Sequence, residues 1–265
     1  MSAAGVRKHP FHIIAPSPWP ALGSLGAFVL AVGAVQYFHG SPPWLMLAGF
    51  GLVLLTMALW WRDVIRESRV DRAHTGPVRT GLRMGMGLFI GSEVMFFVAF
   101  FWAYFHNALH IGPVTQGVWP PAGIETADPF GLPLINTVIL LSSGVVLMWA
   151  RGGIAAGQRG RLVGGLALTV ALGICFLVLQ AIEYGHLAFA FRDGIYPSTF
   201  YMATGFHGFH VFVGVCMLGV MLLRAMRGHF DGDKHLGFEF AEWYWHFVDV
   251  VWVFLFVFMY WWVAA

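Results

Sequence analysis

The stretch from Pro43 to Ala108, PWLMLAGFGLVLLTMALWWRDVIRESRVDRAHTGPVRTGLRMGMGLFIGSEVMFFVAFFWAYFHNA, decides how the chain folds. Two apolar runs flank a segment in which Arg62, Arg66, Arg69, Arg72, Arg79 and Arg83 are interleaved with acids. Each run is long enough to cross about 30 Å of hydrocarbon as a helix rising about 1.5 Å per residue. Arginines this dense stay on the inner face, so the stretch reads as two spans joined inside. The pattern continues in both directions. Apolar segments run from Pro20 to Phe38, Pro43 to Trp61, Leu82 to Ala108, Leu132 to Ala150, Leu162 to Phe191, Thr199 to Leu223 and Phe240 to Val263. Of the 15 Lys and Arg residues, every one but Arg192 falls on one side of this series. Besides the arginines above, these are Arg7, Lys8, Arg151, Arg159, Arg161, Arg224, Arg227 and Lys234. The expectation is an all-α membrane protein of seven transmembrane helices, N-terminus inside and C-terminus outside.

Composition agrees. A hydrophobic fraction of 58% and a charged fraction of 11% stand far from a soluble domain, where about a quarter of residues are charged. The net charge of +2 comes from short loops obeying topology, so it makes no case for a nucleic-acid partner. Anionic lipid headgroups suit the inner arginines better. Cys175 and Cys216 lie within spans without Cys-x-x-Cys spacing, against a disulfide framework or thiolate metal site, and are expected to pack. The first 20 residues lack the apolar core and cleavage site of a signal peptide, leaving the first span as the insertion signal.

We expect one integral membrane domain, 1–265. It comprises an N-terminal segment with helices I and II (1–61), an inner loop (62–80) and helices III to VII (81–265). The tight Gly40-Ser41-Pro42-Pro43 turn and the long charged loop set a two-helix hairpin apart from the other five helices. The outer loop from Asn107 to Gly131 carries Trp119-Pro120-Pro121 and no Lys or Arg, as a rigid docking surface would. There is no repeat and no matching pair of broken helices, which counts against an inverted-repeat transporter.

Polar residues at membrane depth carry the chemistry. A charge at a helix centre costs about 2.5–3.5 kcal/mol even on the lenient scale. Glu93 lies about 15 Å beyond Arg83, so it is either a protonated or a paired carboxyl, open to apolar carboxyl reagents. It serves as a proton-relay or ligand carboxyl, or as a neutral acid bonded between helices. His207 and His210 share a face of the sixth span, and His246 and Asp249 reach similar depth on the seventh, so Glu93, His210 and Asp249 are expected in one buried polar layer. Glu183 and His186 have the Glu-x-x-His spacing of di-iron bundles, but lack the second such pair. Paired histidines also ligate haem; hydrogen-bonded helix glue is the favoured reading. At the inner rim, Trp61, Arg66, His74, Arg224, Lys234 and His235 suit a lipid phosphate, against a plainer reading as snorkelling and topology.

The exact strings carry a resemblance. His9-Pro10-Phe11-His12, Pro16-Ser17-Pro18-Trp19-Pro20, Trp60-Trp61-Arg62-Asp63-Val64-Ile65-Arg66-Glu67 and Ser92-Glu93-Val94 lead to Phe101-Trp102-Ala103 and Trp119-Pro120-Pro121. Gln180-Ala181-Ile182-Glu183-Tyr184, Thr204-Gly205-Phe206-His207-Gly208-Phe209-His210-Val211 and Trp243-Tyr244-Trp245-His246-Phe247-Val248-Asp249-Val250-Val251-Trp252 follow. In kind and order this set resembles subunit III of cytochrome c oxidase over essentially the whole chain.

The resemblance implies a third subunit of an aa3-type haem-copper oxidase with no catalytic residue, haem, copper or other metal of its own. Haem a, haem a3 and copper would lie in partner subunits. The partners would be the catalytic subunit I, subunit II, membrane phospholipids, and cytochrome c as electron donor to the complex. The complex would reduce O₂ to water and pump protons, with this chain stabilising subunit I, binding lipid and assisting proton uptake. The fold implied is a two-helix hairpin separated by a lipid-filled cleft from a five-helix bundle. Trp61, Arg66, His74, Glu93, Arg224, Lys234 and Gly237 match lipid-contacting positions, and Glu93 matches a carbodiimide-reactive glutamate. Where some members have histidine, Lys234 keeps the charge without titrating near neutrality. His9 and His12, before the first span, suit proton collection. A quinol-oxidase relative is the nearest alternative; a stand-alone metalloenzyme would need stoichiometric iron or copper. Met1 and the Ala/Gly-rich spans favour a bacterial plasma membrane over a mitochondrial inner membrane.

Overall fold

The computed structural model describes residues 10–12, 16–71, 73–110, 112, 117–230 and 235–264. The helices are α1 (Trp19–Phe38), α2 (Trp44–Arg69), α3 (Gly76–Leu109), α4 (Leu132–Ala155), α5 (Arg159–His186), α6 (Ile195–Met226) and α7 (Leu236–Leu255). A π-helical stretch, Phe256–Trp261, and a last turn, Trp262–Ala264, continue α7. All seven are long and apolar enough to cross a membrane.

Several helices outrun the apolar segments that define them. α2 continues from Trp61 to Arg69 and α3 already begins at Gly76, so most of the charged segment 62–80 is helical. Arg and Glu are good helix formers, and Arg66 and Arg69 in the last turn of α2 complement the negative end of its dipole. The α4–α5 connection is correspondingly tight and turns through Gly157 at φ +65°. At its C-terminal end, α5 stops at His186 where the apolar run continued to Phe191. Gly194, at φ +135°, then leads into α6.

The chain divides into two compact units, 1–85 and 86–265. In the first, α1 packs on α2 with the backbones nearly touching. A Cβ on Gly33 would strike the backbone of Leu45 and Met46, and one on Gly49 the backbone of Leu30. Such close approach is how helices associate where lipid is as apolar as the side chains. Trp19 Nε1 donates to Asp63 Oδ2 at 2.8 Å, tying the start of α1 to the C-terminal part of α2.

In the second unit α4, α5, α6 and α7 pack in sequence, with α7 also against α4. Ala150 meets Gly165 where α4 and α5 approach most closely. Trp245 is fully buried. Its indole fills the space that a Cβ on Gly173 or Gly214 would need, and its Nε1 donates to Ser143 Oγ at 2.9 Å. Trp252 repeats the device, donating to Thr137 Oγ1 at 2.9 Å. Where the π-helical stretch disturbs the regular ladder, the Tyr104 hydroxyl donates to the Phe258 carbonyl at 2.7 Å and that of Tyr196 to Met259 at 3.2 Å. From Met86 onward α3 belongs to this unit, and its Phe97 packs against Phe206 and Phe247.

Replacing Trp245 with Ala leaves a large cavity among α4, α5, α6 and α7 and should cost about 3–5 kcal/mol, against about 1 kcal/mol for loss of the indole hydrogen bond. The expected result is a strongly lowered unfolding midpoint for Trp245→Ala in detergent. An unchanged midpoint contradicts this packing.

Candidate functional site

Glu93 sits on α3 and His210 on α6, with His210 Nε2 2.8 Å from Glu93 Oε2. His210 Nδ1 lies 2.8 Å from the Phe206 carbonyl. A carbonyl only accepts, so Nδ1 carries a hydrogen and Nε2 shares one with Glu93. The hydrogen bond therefore joins either a neutral acid to a neutral imidazole or a carboxylate to an imidazolium. Both forms hold the same single proton and have no net charge, which lets a carboxyl persist at membrane depth. Phe206, Phe97 and Phe247 pack around the imidazole, with ring centroids 4.5, 5.1 and 6.1 Å away. The side chain of His210 is 4% exposed and that of Glu93 16% exposed.

Asp249 does not join this pair, contrary to the expected single layer. It bonds His246 Nδ1 through Oδ2 at 3.2 Å and approaches Gly144 of α4, where a Cβ would lie 2.5 Å from that oxygen. The reason is helical phase. Tyr244 and Phe247 of α7 face His210, whereas Trp245 and Asp249, one turn apart, face α4. His207 is fully buried. Its Nε2 meets the Val248 carbonyl at 3.2 Å and its Nδ1 has no partner, so it is a neutral tautomer joining α6 to α7.

Glu183 and His186 diverge in environment, Glu183 buried and His186 exposed. Near Glu183, Asn136 Nδ2 donates to Gln180 Oε1 and Gln180 Nε2 to the Tyr260 hydroxyl, each at 3.4 Å. Sequence reasoning missed this cluster; the signal was an amide in each of two spans. Cys175 and Cys216 are unpaired and exposed, not packed as expected, because both lie on outward-facing helix surfaces. Among the described residues, no three His, Cys, Asp or Glu side chains converge on a metal-sized site.

The residues expected at the inner rim fall in both units. In the first, Trp61 and Arg66 are exposed on α2, and His74 lies in the short link before α3. The Thr75 hydroxyl donates to the Pro10 carbonyl, which brings the N-terminal segment to that link. Burial holds His74 below the ordinary 6.5, Glu67 opposes this, and His12 adds to the lowering. His74 is therefore mostly neutral at pH 7. Its contribution to stability is present above the unfolded value and is lost as pH falls through it toward the lower folded value. In the second unit the Arg224 guanidinium lies 4.8 Å over the Phe230 ring. A Cβ on Gly237 would come within 2.7 Å of Arg224 Nη1, so glycine there makes room for the cation. His9 and Lys234 lie outside the described residues.

Seven apolar helices with paired polar residues at depth define a polytopic integral membrane protein. A family profile described as Cytochrome c oxidase subunit III matches residues 9–264. The Cyprinus carpio protein named Cytochrome c oxidase subunit 3 is 51% identical over 256 residues, covering 97% of this chain and 98% of its own. The Marchantia polymorpha protein of that name is 52% identical over 258 residues, covering 97% of each. That of Scyliorhinus canicula is 50% identical over 256 residues, with 97% and 98% covered. The chain belongs to the cytochrome c oxidase subunit III family, and so is part of an oxidase complex with other subunits.

Glu93→Gln should abolish labelling of this site by an apolar carbodiimide in the intact complex. His210→Leu leaves the carboxyl without its partner and should destabilise the unit by about 1–3 kcal/mol. Peptide mass spectrometry and unfolding midpoints check both; undiminished labelling in Glu93→Gln contradicts the assignment.

Proposed function

We propose that this chain is the non-redox accessory core subunit of an oxidase that takes electrons from cytochrome c, reduces O₂ to water and pumps protons. It stabilises the catalytic subunit I, with subunit II completing the core. Haem a, haem a3 and copper belong to those partners. The observation that carries the reading is the family match along nearly the whole chain, joined to an interior whose buried histidines are engaged with carbonyls and Glu93.

The chain's own contribution is to hold phospholipid. Trp61, Arg66 and His74 in the first unit, and Arg224, Lys234 and Gly237 in the second, supply cations and indole at the inner interface, where guanidinium binds phosphate and indole packs on acyl chains. Glu93 belongs to the same lipid-facing set through its apolar surroundings. His9 and His12 collect protons on the inner face, since histidine exchanges them near neutral pH. The arginine-rich connections support an N-terminus on the inner side of an energy-transducing membrane. The spans' composition favours a bacterial plasma membrane, whereas the relatives named above are eukaryotic.

Arg66→Ala combined with Arg224→Ala should leave the initial oxidase rate unchanged, lower the phospholipid retained by the purified complex, and shorten its active life during turnover. In the same preparation, replacing His9 and His12 should slow proton uptake at alkaline pH. Full lipid content with an unchanged active life contradicts the lipid role, and unchanged alkaline uptake contradicts the proton role.

A further inference from the structure

His246 of α7 lies at mid-membrane depth with one ring nitrogen uncommitted. A Cβ on Gly144 would come within 3.4 Å of His246 Cε1 and Nδ1. Gly144 sits midway along the 24 residues of α4, roughly 17 Å from either end at about 1.5 Å per residue. His246 Nδ1 shares a hydrogen with Asp249 Oδ2 at 3.2 Å. One turn earlier on the same side of α7, buried Glu242 is met by Arg151 Nη1 of α4 at 3.1 Å. Among the described residues nothing bonds His246 Nε2. The side chain is 35% exposed, which brings that nitrogen to the surface of the unit. The surface around it is otherwise apolar. Leu141 and Met148, one turn either side of Gly144, are exposed on α4, as are Val250 and Val253, one and two turns beyond His246, on α7.

Hydrocarbon offers no hydrogen bond at that depth. A polar side chain of this kind in a span bonds across to a neighbouring helix. Within the unit the other helices meet α7 elsewhere, α3 through Phe247, and α5 and α6 through Trp245. We propose that the face of α4 and α7 around His246 is the docking site for a transmembrane helix of another oxidase subunit, one that sets a hydroxyl or amide side chain against His246 Nε2. Membership of the oxidase complex, on which this rests, supplies the partner subunits. A hydroxyl or amide suits Nε2 because it both donates and accepts. Nε2 accepts when Nδ1 donates to Asp249, and donates when the carboxyl holds the shared proton. An acyl chain in the same place would cover the valines and leave the nitrogen unmatched.

The test uses the native complex in its membrane, with benzoylphenylalanine in place of Val250, which leaves His246 untouched. On irradiation the ketone takes a hydrogen from a neighbouring C–H and the two carbon radicals join; mass spectrometry identifies the joined peptide. The expected product is a cross-link to a membrane-spanning segment of another oxidase subunit. A product with lipid alone, with residues 1–85 of the same chain or with a second copy, while the other subunits still co-purify, overturns the docking site and leaves the oxidase reading in place. Loss of the other subunits from the complex overturns both. The contact itself is read from release of this chain under rising detergent. His246→Asn keeps an amide where Nδ1 bonds Asp249 but falls short of the Nε2 position, and should weaken retention about fivefold, the worth of one hydrogen bond. His246→Gln, whose amide reaches the Nε2 position, should restore it. A purely structural role through Asp249 gives the reverse order and overturns the contact, as does His246→Asn retained as firmly as the unaltered chain.

Discussion

In hydrocarbon, burying one apolar side chain against another gains little over leaving it in lipid, so helices associate through close fit and a few hydrogen bonds. The second unit depends on one such fit. Trp245 fills the space left by Gly173 of α5 and Gly214 of α6 and donates to Ser143 of α4. A single side chain of α7 thereby fixes the other three helices. It also sets the rotation of α7, which turns Tyr244 and Phe247 toward His210 and completes the aromatic surroundings of the Glu93 pair.

That pair shows how ionisable chemistry survives at depth. His210 commits one nitrogen to a carbonyl and the other to Glu93, so the pair has no net charge whichever partner holds the shared proton. His246 and Asp249 form a second pair within one helix. Glu183 follows a different rule: it is buried beside the amide of Gln180 and the hydroxyl of Tyr260, with no basic partner drawn into the interior.

The seven spans were legible because hydropathy and arginine placement report the solvent directly, and solvent is the strongest constraint on a membrane chain. Helix ends were less legible. Hydropathy marks where lipid begins, whereas α2 stops only at Arg69 because arginine and glutamate continue a helix into water without penalty. Depth along a helix correctly put Glu93 and His210 on one level. It failed for Asp249 because depth carries no information about which face of α7 a residue occupies. The π-helical stretch Phe256–Trp261 had no signal in an all-apolar run, since its widened turns are supported by Tyr104 and Tyr196 from distant helices. The Asn136–Gln180–Tyr260 cluster was visible only as isolated amides.

Under the proposed function, the chain serves the oxidase without holding a redox centre. The most direct measurement is purification of the native complex through an affinity tag on this chain, with a haem spectrum and metal analysis before and after detergent strips this subunit away. The account predicts that haem a and copper co-purify with the tagged complex and remain with the other polypeptides after stripping. Haem or copper retained on the isolated chain would contradict it and would make ligands of the histidines assigned here to helix packing and proton sharing.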